Sequence, residues 1–287
     1  MNIGFIGTGL MGKPMSLKIK EAGFDIRVFN RTKEKAAELE QHGVKAESTV
    51  KELFDNCDTI ITMLADYNAI TSILFDGKLN YEDKTFIQMS TISPKESLLL
   101  KERIEKLGGH YFEAPVLGSI PQIENKELIT LVGGAEDDHA KYSSVFASFS
   151  SKMIYIGETG KAAATKLALN QLIATETAAF AMSLGYIKEN DIDVEKFMDI
   201  LRGSALYAPT FDKKMDKYIS RDYDNTHFPL KHLMKDVKLM LNDFGNAGIN
   251  TGTLEAVKNV IQEGLNAKLS EKDYSSLYNI IHPKREK

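Results

Sequence analysis

Cysteine is almost missing from this sequence, with Cys57 alone among 287 residues. No disulfide can form within the chain, and a reducing compartment, the cytoplasm, is expected. Long apolar runs are missing too. No 18-residue stretch is free of charge and polarity, so no membrane span is expected. The first apolar run opens at Met1, so no cleaved targeting segment is expected either. Charge of one sign is scarce, since 36 Lys and Arg against 40 Asp and Glu give a net charge of −4. That balance argues against nucleic acid or an anionic membrane as a partner. Six scattered histidines and one cysteine lack the spacing of a ligand set, so no metal is expected. The motifs G-x-x-x-x-G-K-[ST], G-x-S-x-G, H-E-x-x-H and C-x-x-C do not occur. The remainder is ordinary for a soluble globular protein, 43% hydrophobic and 26% charged, with length for one large or two modest domains.

What is there begins at the first residue. Met1 to Ile6 read as a short apolar strand, followed at once by Gly7-Thr8-Gly9-Leu10-Met11-Gly12, and Met15, Leu17 and Ile19 then start a helical pattern. A G-x-G-x-x-G run between strand and helix is the context in which it signals a dinucleotide site. The glycines permit a tight turn and close approach to a pyrophosphate, and the helix N-terminus offers unpaired N–H groups. Ile26, Val28 and Phe29 suggest a second strand ending in Asn30-Arg31-Thr32. NAD-specific sites usually place a carboxylate about 20 residues past the glycines. Here Asn30 stands eighteen residues after Gly12, with Arg31 and Thr32 beside it. A guanidinium and a hydroxyl suit a phosphate, which favours NADP over NAD. Alternatively, Asn30 and Thr32 cap the helix that starts near Lys33.

Up to about residue 156, strand and helix patterns alternate, with strands expected at Thr59–Leu64, Phe86–Met89, Tyr111–Phe112, Leu128–Val132 and Met153–Ile156. Helices are expected at Lys33–Gln41 and Pro94–Lys106. Such alternation predicts a mostly parallel, doubly wound α/β sheet, with ligands beyond the carboxyl ends of the strands. Leu64-Ala65-Asp66, Ser90-Thr91 and Pro115 to Ser119 are then rim segments, or ordinary turns. From Lys161 to Ile187 the chain has no proline, no glycine before Gly185, and apolar residues on nearly all faces. That pattern predicts a buried helix on the order of 40 Å long. Downstream, Leu230, Leu233, Val237, Met240, Leu241 and Phe244 keep a helical period, as do Leu254, Val257, Val260 and Ile261. The expected organisation is a nucleotide-binding Rossmann-type domain over 1–160 and an all-helical domain over 161–287, joined by the long helix 161–187. The charged tail Pro283–Lys287 is expected to fray.

Within the long helix, Lys166 and Asn170 are four apart and share a face. Beside a nicotinamide, a lysine ammonium can donate a proton as hydride reaches carbon and stabilise the developing oxyanion. Asn170 can hold the lysine or the substrate oxygen in register. The alternative is a lysine snorkelling to water. Lys235-Asp236 is a second pair, but adjacent helical residues point in different directions, so each needs its own partner and a solvated face is the simpler reading.

Taken in order, Gly4 to Gly12 with Met15, Asn30-Arg31-Thr32, Met89-Ser90-Thr91, Glu113-Ala114-Pro115-Val116, Lys166 with Asn170, and Phe228-Pro229-Leu230-Lys231-His232 before Lys235-Asp236 carry a resemblance. The chain resembles the β-hydroxyacid dehydrogenase family, 3-hydroxyisobutyrate dehydrogenase-like, and within it the NADPH-dependent glyoxylate and succinic semialdehyde reductases. The resemblance implies an oxidoreductase that moves hydride between NADP and a small aldehyde, keto acid or hydroxy acid, with Lys166 as general acid/base. It implies cofactor contacts at the Gly7–Gly12 loop, Asn30, Arg31, Thr32, Leu64, Ala65, Thr91 and Lys235. It implies substrate contacts at Thr91, Asn170, Phe228 and Asp236, and a homodimer or homotetramer assembled through the helical domain. In the loop where the family usually reads Pro-Val-Ser-Gly with a carboxylate-binding serine, this chain has Pro115-Val116-Leu117-Gly118. Leu117 offers only its backbone N–H, so Gly118 or Ser119 substitutes, or the substrate is less polar there. Lys161-Ala162 replaces an Asn-Gly found in many members. A non-catalytic dinucleotide-binding or scaffold protein on the same fold is the alternative reading.

Overall fold

β-branched and aromatic residues dominate the short apolar runs, and these runs become nine strands of one sheet among the described residues. They are β1 (Asn2–Ile6), β2 (Asp25–Phe29), β3 (Lys45–Ala46), β4 (Thr59–Thr62), β5 (Thr85–Gln88), β6 (His110–Glu113), β7 (Val116–Leu117), β8 (Leu128–Gly133) and β9 (Ser150–Gly157). The order runs β3-β2-β1-β4-β5-β6-β8-β7, with β9 also paired to β8. β1 to β6 pair in parallel, whereas β8 runs antiparallel to β6 and β7 and parallel to β9. Every residue of β4 and β5 is buried, as expected of strands covered on both faces.

Successive side chains alternate between the faces. Ile61, Ile87 and Phe112 join Met15 and Ile19 in one layer, while Ile60, Phe86 and Tyr111 join Leu53, Leu100 and Ile104 in the other. The chain winds outward from β1 to β3 and then returns to β4, so the order reverses between β1 and β4. A doubly wound sheet binds its ligand outside the strand ends at such a reversal.

This structure is a computed structural model that describes residues 1–284. The contacts divide the chain into a unit spanning Met1–Leu167 and a second from Ala168 onward. Helix Pro94–Lys106 forms as read from the sequence, started by reciprocal bonds between Ser93 and Glu96. Helix Lys33–Gln41 is shorter than expected. It stops at Ala37, and a single turn Glu40–His42 closes at Gly43 with φ +73°. β9 is longer than its apolar segment because Ser150, Ser151, Lys152 and Gly157 carry no hydrophobic signal. The tail expectation falls partly on residues 285–287, outside the described residues.

The long helix spans Lys161–Glu189. It is not covered all round, because Leu172, Met182 and Tyr186 are 48%, 58% and 69% exposed. In the second unit it is followed by helices Val194–Arg202, Pro209–Ser220, Leu230–Asn246 and Gly252–Asn266 and by short turns up to Ile281. Leu230, Leu233, Val237 and Met240 are buried along one face, matching their 3.6-residue period, and Val257 and Ile261 are buried on the next helix. A Cβ at Gly264 would lie 2.8 Å from Leu230, so glycine lets these two helices approach. No helix among the described residues is long and apolar enough to cross a membrane.

Candidate active site

The first unit builds a cleft where β1 and β2 end. Gly7 has φ +103°, and a Cβ there would lie 2.3 Å from the Met63 carbonyl oxygen. A Cβ at Gly12 would lie 1.8 Å from the Gly7 carbonyl oxygen, so both positions require glycine for the turn into helix Gly12–Glu21. Gly9 differs. A side chain there would meet nothing within 4 Å, so protein packing does not demand its bareness. Gly9 and Leu10 lie exposed over the helix start, with Met11 half-buried and Thr8 and Gly12 buried beneath them. Thr8 Oγ1 is buried with no hydrogen-bond partner among the described residues.

The Thr8 N–H donates to Asn30 Oδ1 at 3.1 Å, and Asn30 Nδ2 donates to the Thr32 carbonyl at 2.9 Å. Asn30 therefore braces one loop against the other. Neither Asn30 nor Thr32 caps the following helix through its side chain, which removes the capping alternative. Gly7, Asn30, Arg31, Thr32, Leu64 and Ala65 line one cleft of about 200 Å³. Lys35 lines it too, four residues after Arg31, and the sequence reading missed it. Two cations and no carboxylate face this space, which suits an added phosphate. Leu64 is fixed by its N–H donating to Ser90 Oγ at 2.8 Å, and Thr91 follows half-buried.

The other residues of this unit sit along the sheet edge and the long helix. Leu117 ends β7, paired to Ile129 and half-buried. Gly118 has φ +120° and packs where a Cβ would lie 2.5 Å from Leu128. Ser119 donates from both its N–H and its hydroxyl to Gln122 Oε1, each at 2.9 Å. Its hydroxyl proton is thus used inside the loop. Lys166 is only 8% exposed, so snorkelling to water does not describe it. Burial pushes the Cys57 thiol up to about 12, which leaves it no nucleophile at neutral pH.

In the second unit, helix Leu230–Asn246 carries the remaining residues. Asn170 Nδ2 donates to Asp236 Oδ2 at 2.7 Å, and Lys235 Nζ lies 2.9 Å from Asp236 Oδ1. The expectation that Lys235 and Asp236 point apart onto a solvated face is overturned. They pair with each other, and Asp236 is 2% exposed, because a buried carboxylate needs a cation and a donor. Asn170 Oδ1 is buried without a hydrogen-bond partner among the described residues, leaving an acceptor in hand. Phe228 packs instead on Tyr274, ring centroids 5.7 Å apart, and on His232 at 6.3 Å. Burial, with Lys235 and Lys231 adding to it, pulls the His232 pKa below its ordinary value.

Residues 2–157 match the NAD binding domain of 6-phosphogluconate dehydrogenase, and residues 160–281 match the NAD-binding domain of NADP-dependent 3-hydroxyisobutyrate dehydrogenase. Glyoxylate/succinic semialdehyde reductase 1 of Arabidopsis thaliana is 31% identical over 290 residues, covering 100% of both chains. The chain belongs to the β-hydroxyacid dehydrogenase family. Mitochondrial 3-hydroxyisobutyrate dehydrogenase of Drosophila melanogaster is a further relative, 29% identical over 100% of this chain and 90% of its own. A crystal structure of 3-hydroxyisobutyrate dehydrogenase from Salmonella typhimurium shares the fold, with TM-score 0.87, 19% identity and coverage of 98% of this chain and 99% of that one.

As an NAD(P)-dependent member of this family, the protein uses a nicotinamide dinucleotide. The bare Gly9, the unpartnered Thr8 hydroxyl and the acid-free cleft all fit that group. Thr91, Leu117, Gly118, Ser119 and Lys166 are not among the residues lining the cleft, and Asn170, Lys235 and Asp236 form their own cluster in the second unit.

Proposed function

We propose that this β-hydroxyacid dehydrogenase acts as an NADPH-dependent reductase of a small aldehyde or keto acid, with Lys166 as the general acid. The carrying observation is a lysine buried to 8% exposure in a helix of a dehydrogenase fold. Burying an ammonium is costly unless it is paired, and a buried titratable group in an enzyme fold is a candidate for the chemistry. The nicotinamide dinucleotide, when held in this cleft, would supply a hydride. The Lys166 ammonium stabilises the oxyanion that develops as the π bond breaks, then gives the oxygen its proton.

Backbone N–H groups from Gly7 to Gly12 hold the pyrophosphate, and Arg31, Thr32 and Lys35 hold the 2′-phosphate, with Asn30 bracing their loop. Leu64, Ala65, Thr91 and Lys235 complete the cofactor contacts. Substrate contacts are assigned to Thr91 and the loop Leu117-Gly118-Ser119 in the first unit, and to Asn170, Phe228 and Asp236 in the second. Glyoxylate and succinic semialdehyde are the first substrates to try, since a relative's name includes them. A leucine at 117 and a Ser119 hydroxyl committed to Gln122 favour a substrate with little negative charge at that end.

The test is NADPH oxidation over glyoxylate, succinic semialdehyde, tartronate semialdehyde, methylmalonate semialdehyde and carboxylate-free aldehydes. On the best substrate, Lys166→Ala should lower turnover roughly 100- to 10,000-fold while NADPH affinity stays near wild type. Wild-type turnover in that variant would remove the acid from the proposal.

A further inference from the structure

Glu113 ends β6 fully buried, and its carboxylate reaches far along the chain. Oε1 accepts the N–H of Gly160 at 2.9 Å and that of Ala163 at 3.0 Å, from residues 47 and 50 positions later. Oε2 accepts the Ser97 hydroxyl, whose oxygen lies 2.8 Å from the Tyr111 hydroxyl. The opposite strand makes room for this group. Gly133 is the register partner of Glu113, and a Cβ on it would lie 2.5 Å from Oε1.

A helix start leaves N–H groups that a Ser, Thr, Asp or Asn just ahead of it usually satisfies. Here Gly160 precedes the helix and has no side chain to do so. The acceptor comes from the sheet instead; burial pushes the Glu113 carboxyl above its usual value, and the Ser97 hydroxyl and the N–H groups of the helix start oppose that shift by stabilising its charged form. Such a cap does more than close a helix. It fixes the helix start against the carboxyl end of one strand. Ala163 and Lys166 are three residues apart and so lie on one face, within a single turn. The same carboxylate stands directly before Ala114 and the loop Pro115 to Ser119.

We propose that Glu113 is the positioning residue for Lys166, setting the depth and rotation of the helix turn that presents the ammonium. This rests on the reading of Lys166 as the proton donor. Glu113 itself stays away from the reacting atoms and acts through the helix.

The experiment compares kcat, KM, NADPH affinity by fluorescence and thermal melting across five variants of the full chain. Lys166→Ala is measured first, because lysine-independent turnover refutes the parent reading whatever Glu113 does. With turnover shown to need the lysine, Glu113→Ala should lower kcat roughly 10- to 100-fold, as expected of a misplacement near 1 Å. NADPH affinity should stay within about threefold, and Glu113→Gln, whose amide oxygen still accepts both N–H groups, should restore most of kcat. Adding Glu113→Ala to Lys166→Ala should cost nothing further, since one residue acts through the other. An unchanged kcat in a folded Glu113→Ala protein overturns the proposal. So does an equal loss on the Lys166→Ala background. Should Glu113→Ala show no cooperative melting, Glu113→Asp carries the test, because it keeps the charge and retracts the acceptor. Lower kcat in Glu113→Asp with recovery in Glu113→Gln supports the assignment, and wild-type kcat in Glu113→Asp overturns it.

Discussion

Asn30, Arg31 and Lys35 divide one task among three side chains. Asn30 uses both ends of its amide on backbone, with Oδ1 on the Thr8 N–H and Nδ2 on the Thr32 carbonyl. It shapes the loop, and the proposed contact to a 2′-phosphate rests on the two charges that line the cleft beside it. Arg31 was legible in the sequence because it follows a strand at the distance where a ribose contact is expected. Lys35 was not, because a lysine on a short helix looks like any solvated residue until the cleft it lines is seen. A charge-assisted bond to phosphate is worth about 1.5 to 3 kcal/mol, so Arg31→Asp should weaken NADPH roughly 10- to 100-fold relative to NADH. Lys35→Ala, which removes a point charge rather than a bidentate fork, should cost less in the same direction. Titration of both variants with both cofactors measures this, and an unaltered preference in each would strip the cleft of its phosphate role.

Elements fared better than their junctions. The turn from β1 into its helix, the Pro94–Lys106 helix and the long helix were readable, since each rests on local signals: placed glycines, a Ser-Pro-x-Glu start, and a run without proline. The two-residue strands β3 and β7 carry no period at all. What ties elements together is equally hidden, because partners lie tens of residues apart. Lys214 Nζ bonds both oxygens of Asp273 at 2.8 and 2.9 Å across 59 positions. Asp273 also accepts the Ser275 hydroxyl at 2.7 Å and the His227 N–H at 3.3 Å. Next to it, Tyr274 N–H donates to the Phe228 carbonyl at 2.9 Å, so the clasp holds the segment leading into helix Leu230–Asn246. Burial pushes the Asp273 carboxyl up, but the Lys214 ammonium and the donors around it hold it below its usual value. Breaking such a pair leaves a lone buried charge, costing about 3 to 5 kcal/mol, whereas replacing both partners with apolar groups is often far milder. Lys214→Met should therefore destabilise more than the double change Lys214→Met with Asp273→Leu. Chemical denaturation of both proteins decides the point, and a double variant weaker than the single one would show that the clasp is a net source of stability.

Across the whole molecule, the doubly wound sheet and the helical second unit were legible because strand-helix alternation and the 3.6-residue period survive in sequence, whereas the strand order and the electrostatics were not. Histidines illustrate this, being scattered in the chain yet given opposite environments by the fold. His110 Nε2 lies 2.6 Å from Asp138 Oδ1, and that bond raises its pKa against the effect of burial. His232 in the second unit is pulled down by burial. A raised folded value means that stability is fully present below the unfolded histidine pKa of about 6.5 and is lost as pH climbs through the folded one. A lowered folded value means the reverse, with stability present above about 6.5 and lost as pH falls through the folded one. The two groups thus tilt the pH profile in opposite directions and partly cancel. His110→Gln should melt below wild type at about pH 6, with the gap closing toward about pH 8. His232→Gln should lose ground to wild type least, or overtake it, on acidification. Melting temperatures of the three proteins across that range test the pair, and parallel profiles would mean that neither environment persists in solution.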